Sequence, residues 1–234
     1  MYFWNNTTES TLRRNSPSAC LTLLIHSDKQ LAFKSLLARF INHGCSPKTM
    51  KIISWQDVQT TPSVQEDLKF ELLKGKLLIY PTDTVYGIGC DASNPKAVKK
   101  LRELKKTDAP FSVIAPSMAW IMENCDSRHR ERLKELPGKL TFIMDKKDTD
   151  LLKEVAPHAS IGVRIPDHPI TKLLQATGVP IVSTSANKHG ERVCTSISQL
   201  DADLYVDYIL DAGELSPIPS EVWDIRDKDA KKLR

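Results

Sequence analysis

No apolar stretch in this 234-residue chain is long enough to cross a bilayer: residues 21–25 (Leu-Thr-Leu-Leu-Ile) fall far short of the roughly 20 residues a spanning helix needs. A transmembrane helix is excluded, and no membrane partner is expected. No C-x-x-C pair occurs, and five cysteines (Cys20, Cys45, Cys90, Cys125, Cys194) cannot all pair within one chain. Reduced thiols in a cytoplasmic protein are the favoured reading over a disulfide framework. The six histidines (His26, His43, His129, His158, His168, His189) show no H-E-x-x-H spacing, so no protein-held metal is expected. No G-x-x-x-x-G-K loop, internal repeat or low-complexity tract is present. Also lacking is any basic excess beyond the start. Six of the 33 Lys/Arg and two of the 29 Asp/Glu lie in residues 1–50, so 51–234 carries 27 of each sign. A balanced body lacks the footprint of a dedicated duplex-binding protein.

What is present is an ordinary globular mixture, 41% hydrophobic and 26% charged, in a length that suits one domain with an appendage. Residues 1–49 differ from the rest. They form an N-terminal extension with three readings: an organelle transit segment, upstream sequence ahead of a start at Met50, or an accessory helix around Leu31, Leu36, Leu37 and Phe40. Residues 50–234 form the main domain. Ser63 and Glu66 match a capping box, and Gly75 a helix stop. Residues 77–80 read as a buried strand. Asn94-Pro95 opens a second helix. Strands are expected at 111–115, 140–144, 161–165, 180–182, 208–210 and 222–225. Helical stretches are expected near 118–124, 128–136 and 170–177. Helices alternating with short apolar strands predict an α/β sheet covered by helices.

Polar clusters follow the strands, where ligands bind in open α/β sheets. Thr82, Asp83 and Thr84 precede Gly87 and Gly89; they fit either a turn or a ligand loop whose glycines admit close backbone approach. Ser183-Thr184-Ser185-Ala186-Asn187 supplies neutral hydroxyl and amide donors for oxyanions, or else a helix cap. Arg164 lies inside an apolar strand. A buried arginine needs either an internal Asp or a ligand carboxylate. Lys105-Lys106 closes the second helix, which lysines do for electrostatic reasons alone.

Taken in order, Tyr80-Pro81-Thr82-Asp83-Thr84-Val85-Tyr86-Gly87-Ile88-Gly89-Cys90, Leu136-Pro137-Gly138-Lys139-Leu140-Thr141-Phe142, Gly162-Val163-Arg164-Ile165-Pro166-Asp167-His168-Pro169 and Val182-Ser183-Thr184-Ser185-Ala186-Asn187 resemble the YrdC-like family of threonylcarbamoyl-AMP synthases. The resemblance spans about residues 62–234. It implies a twisted, open mixed sheet flanked by helices, with a concave ligand groove. The implied reaction joins L-threonine, bicarbonate and ATP, with Mg²⁺ on the phosphates, giving threonylcarbamoyl-AMP and pyrophosphate. A separate tRNA-threonylcarbamoyl transferase would be the partner. By matching positions, Thr84, Arg164, Ser183 and Ser220 would hold threonine. Lys105, Ser160, Ser185, Asn187 and Arg234 would contact ATP. Lys105 and Arg164 would carry the catalytic charge stabilisation. The chain departs from the family at Lys105-Lys106-Thr107, where Lys-x-Arg is usual, and in a shorter segment before Pro110. It also departs at Ile114, Val193 and Glu221, the last of which is expected to bring a carboxylate near the cleft. The alternatives are a non-catalytic relative binding RNA weakly through its groove, and a different carbamoyl or adenylyl transfer.

Overall fold

The structure, a computed structural model, describes residues 50–187, 192–201 and 203–234. The three readings of residues 1–49 fall outside the described residues. Strand β1 (Lys51–Ser54) and helix α1 (Trp55–Thr60), neither expected from the sequence, begin the described chain. Ser54 caps α1, its hydroxyl oxygen accepting from the Asp57 amide at 3.0 Å. Helix α2 spans Pro62–Leu73 and starts from Thr61. The capping box expected at Ser63 is unused, because Pro62 already has helical φ and no amide to satisfy. Gly75, at φ 81°, ends α2 in the left-handed region as expected.

Strands β2 (Leu78–Tyr80) and β3 (Gly87–Gly89) follow. Helix α3 (Pro95–Lys105) opens on Asn94, whose side chain accepts from the amides of Lys96 and Ala97. Then come β4 (Ser112–Ile114), α4 (Met118–Asn124), the two-residue β5 (Cys125–Asp126) and β6 (Leu140–Lys146). The helix expected at 128–136 is a tight 3₁₀ segment, Arg130–Glu135. Strand β7 (Ser160–Arg164), α5 (Ile170–Gln175), β8 (Ile181–Ser185), β9 (Tyr208–Asp211), β10 (Glu221–Asp224) and β11 (Lys231–Lys232) complete the order.

The strands form one mixed sheet, β1-β9-β2-β3-β8-β4-β7-β6-β10-β11, with β5 beside β6. Pairs β1/β9, β2/β9, β4/β7 and β6/β10 are parallel. Side chains alternate between the faces, and two apolar clusters result. Ile79, Ile88, Val113, Phe142, Val163, Val182 and Ile209 bury against α3, through Ala97, Val98 and Leu101, and against Ile121 of α4. Their neighbours Leu78, Tyr80, Ile114, Ile181 and Leu210 bury on the opposite face against α1, α2 and α5. That second layer does not cover the whole face. Beyond it, the same alternation brings Ser112, Thr141, Gly162, Arg164 and Ser183 to the sheet surface.

Candidate active site

The uncovered part of the second face is a cleft of about 220 Å³ built from six adjacent strands and their connections. Its lining includes Thr84, Gly87, Ser112, Thr141, Arg164, Ser183, Ser185, Val193, Ser220, Val222 and Arg234. Four predicted threonine-site residues, Thr84, Arg164, Ser183 and Ser220, thus converge from positions up to 136 residues apart. So do Ser185 and Arg234 of the predicted ATP set.

Arg164 sits at the end of β7 and is 7% exposed. Its Nη2 donates to Asp83 Oδ1 at 2.7 Å, and the Asp167 amide donates to the other oxygen, Oδ2, at 2.9 Å. Both readings of Arg164 are therefore joined: it meets an internal Asp, and it also lines the cleft. Its Nε is buried with no hydrogen-bond partner. Burial lowers the Arg164 pKa, opposed by Asp83 and Tyr80 and assisted by the nearby Arg234 charge. Arginine stays protonated in proteins. Two cations close enough to feel each other, both lining a cleft with no carboxylate in its described lining, describe a site for an oxyanion.

The hydroxyls are ordered by their neighbours. Thr82 donates to the Val85 carbonyl at 2.7 Å. Its single proton is then spent, so in the 2.9 Å contact between the two hydroxyls Thr84 is the donor. The Thr84 oxygen keeps acceptor lone pairs, which suit an amine or ammonium. The hydroxyls of Thr141, on β6, and Ser220, just before β10, lie 3.2 Å apart.

Gly87 and Gly89 belong to a strand rather than to a loop. A Cβ on Gly89 would stand 1.9 Å from the Val182 carbonyl oxygen, and one on Gly87 would be 3.0 Å from the Tyr80 ring. The close approach these glycines permit at those contacts is within the protein.

Three predicted residues stand apart from the cleft lining. Ser160, at the other end of β7, is partly exposed and lies four residues from Arg164 on the same face. Lys105 is buried, and its Nζ donates to the carbonyls of Ser185, at 2.6 Å, and Asn187. Asn187 is itself buried beside that contact. Lys106 is the helix cap, in the left-handed region at φ 50°.

Glu221 is corrected by the structure. Ser220 and Val222 face the cleft, so Glu221 between them points to the opposite face. There it accepts from the Trp223 indole at 2.9 Å and pairs with Lys232 at 2.5 Å. It brings no carboxylate to the cleft. Val193 lines the cleft, whereas Ile114 is core. The sequence placed Asp83 in a candidate ligand loop or turn without a specific role, and gave none to Tyr86. The Tyr86 hydroxyl donates to the Gly213 carbonyl at 2.9 Å and accepts from the Ala212 amide at 2.9 Å. This anchors the segment that leads to Ser220. The pairing of Asp83 with Arg164 had one signal, the need of a buried arginine for an internal Asp or a ligand carboxylate.

The Sua5/YciO/YrdC family model, described as telomere recombination, matches residues 71–234. A Methanocaldococcus jannaschii protein named as a candidate threonylcarbamoyl-AMP synthase is 34% identical over 82% of this chain and 94% of its own length. The threonylcarbamoyl-AMP synthase of Haemophilus influenzae strain PittEE is 33% identical over 69% of this chain and 94% of its own. Among solved structures, P. abyssi Sua5 complexed with L-threonine superposes with a TM-score of 0.70 at 26% identity. That match covers 80% of this chain and 57% of the P. abyssi chain, so this chain spans less than two thirds of that relative. The chain belongs to the Sua5/YciO/YrdC family.

Proposed function

We propose that this family member is an L-threonylcarbamoyladenylate synthase: a nucleotidyltransferase making threonylcarbamoyl-AMP and pyrophosphate from L-threonine, bicarbonate and ATP. One observation carries the reading: the buried Arg164 lines a cleft that it shares with Arg234 and with the hydroxyls of Thr84, Ser112, Thr141, Ser183, Ser185 and Ser220. A guanidinium held from behind by Asp83 is suited to a substrate carboxylate. The acceptor face of Thr84 suits the amine of the same molecule. The names of the relatives and the threonine complex of P. abyssi Sua5 support threonine as that molecule.

The chemistry asks little of the protein beyond placement. The threonine amine adds to the carbon of bicarbonate-derived CO₂ and loses a proton, giving a carbamate. A carbamate oxygen then attacks the α-phosphorus. A new P–O bond forms, the bond from Pα to the bridging oxygen breaks, and pyrophosphate leaves with that electron pair. No protein nucleophile takes part. Arg164 and Arg234 hold and neutralise oxyanions, while Ser183, Ser185 and Ser220 supply hydrogen bonds in a partly desolvated site. Mg²⁺ enters as the MgATP substrate, carried by phosphate oxygens. The donor set fits that assignment: no Asp or Glu lines the described cleft, and both oxygens of Asp83 are committed.

The product is a mixed anhydride of a carbamic acid and a phosphate. A transferase acting on tRNA is the proposed consumer, and the cytoplasm the proposed setting. Among the described residues no helix is long and apolar enough to cross a membrane.

The test uses the full chain with MgATP. Pyrophosphate release that requires both L-threonine and bicarbonate, with threonylcarbamoyl-AMP seen by mass spectrometry, is the expected result. Release indifferent to threonine, or none at all, would overturn the assignment.

A further inference from the structure

Helix α3 ends in two cations one turn apart, Arg102 and Lys105, and each grips a different wall of the cleft. Arg102 uses its whole fork on backbone carbonyls. Nε donates to Glu154 O at 2.9 Å and Nη2 to Val155 O at 2.9 Å. Nη1 donates to Ala109 O at 2.8 Å and, at 3.4 Å, to Thr107 O. The Ala109 carbonyl is the one joined to the Pro110 nitrogen. The Val155 carbonyl also receives the Phe111 amide at 2.9 Å. The guanidinium carbon lies 4.6 Å from the centre of the Phe111 ring, in a cation–π contact. Pro110, Phe111 and Ser112 form one wall of the cleft.

Lys105 holds the other wall through the Ser185 and Asn187 carbonyls. The two walls leave the same end of one antiparallel pair. Ser112 of β4 lies opposite Ser183 of β8; residues 110–111 precede the one and 184–187 follow the other. The 184–186 wall stays paired with β3, but the β4/β8 ladder ends at Ser112 and Ser183, so residues 110–111 are not paired with β8.

We propose that Arg102 is a positioning residue: with Lys105 it makes the end of α3 a brace that sets the gap between the two cleft walls. A guanidinium is needed at this position. Four carbonyls from two chain segments, 107–109 and 154–155, converge on it, and an ammonium has three donors on one point, with no plane to lay on Phe111. The inference rests on the cleft being the substrate site, but its structural half can be read without activity.

The experiment is hydrogen–deuterium exchange on full-length Arg102→Met and Arg102→Lys, paired with steady-state kinetics of pyrophosphate release. The expected result for Arg102→Met is exchange at least tenfold faster in peptides covering 109–113, with α2 peptides unchanged. KM for MgATP or L-threonine should rise about tenfold while kcat stays within threefold. Arg102→Lys should show the same local pattern, and it serves alone if Arg102→Met fails to fold. Exchange that is unchanged, or that rises uniformly across the chain, would overturn the proposal. So would unaltered KM values in a variant whose melting temperature alone has dropped. A wild-type chain with no synthase activity would remove the proposed function. The exchange pattern would still decide the brace.

Discussion

The central strands β4, β6, β7 and β8 carry two different surfaces. On one face Val113, Phe142, Val163 and Val182 are fully buried in the larger core. One residue away along each strand, Ser112, Thr141, Arg164 and Ser183 meet at the cleft. The backbone is shared, so the contrast lies in side chains alone. The apolar face supplies burial, on the order of 1.5–3 kcal/mol for each large side chain. The polar face gives up that stabilisation and holds hydroxyls and an arginine where a ligand can reach them. A sheet covered on both faces throughout would read as unbroken apolar runs. The break in α5's cover is what makes the second face useful.

Substitutions on opposite faces of one strand test whether the two surfaces are independent. The largest effect is expected from Phe142→Ala, which should cost about 3–5 kcal/mol of folding stability and lower the melting temperature by roughly 6–20 °C. KM values measured well below that transition should not change. A comparable loss of substrate affinity would show that the faces are coupled.

Arg164→Ala comes next. It should raise the threonine KM about a hundredfold, with the ATP KM within threefold, because a charge-assisted carboxylate contact is lost. Equal weakening of both substrates would move Arg164 out of the threonine site. Ser183→Ala, on the polar side of β8, should raise the threonine KM about five- to tenfold with little change in melting. A loss of stability without a KM effect would make Ser183 a structural hydroxyl.

The smallest effect concerns His168, beside Asp83 and Asp167 in the turn after β7. Burial lowers its pKa below the usual 6.5, opposed by those two carboxylates. Its Nδ1 accepts from the Ile170 amide, which requires the neutral ring. The unfolded chain therefore takes up the proton first as pH falls. His168 contributes stability above about pH 6.5 that is lost on acidification below it. Melting curves at pH 7.5 and 5.5 should show a smaller drop for His168→Gln than for wild type. Identical drops would remove His168 as the cause.

Much of this was legible in advance, for local reasons. Asn94-Pro95 and Gly75 work through the few residues beside them, and both behave as read. The apolar alternation at Ile79, Val113 and Val182 needs only the two-residue period of a strand. Other features were not legible. A strand of Gly87-Ile88-Gly89 has poor intrinsic propensity, and only the approach of Tyr80 and the Val182 carbonyl explains it. Ser63 and Glu66 had the right letters for a cap, and Pro62 overrode them. Arg102 looked like an ordinary helix residue, since two of its four carbonyls, Glu154 and Val155, lie 52 and 53 residues further along the chain.

The sequence by itself determined which segments alternate, that α2 stops at Gly75 and α3 opens at Asn94-Pro95, and that Arg164, set in an apolar strand, must find an anion. Which anion it finds was decided by tertiary structure: Asp83, 81 residues away, reaches it only in the assembled sheet. The same assembly turned Glu221 away from the cleft and Ser220 into it, by one residue of strand phase. Local signals act over a turn or a strand pair. A site built on strand order and register depends on pairings made across the whole chain.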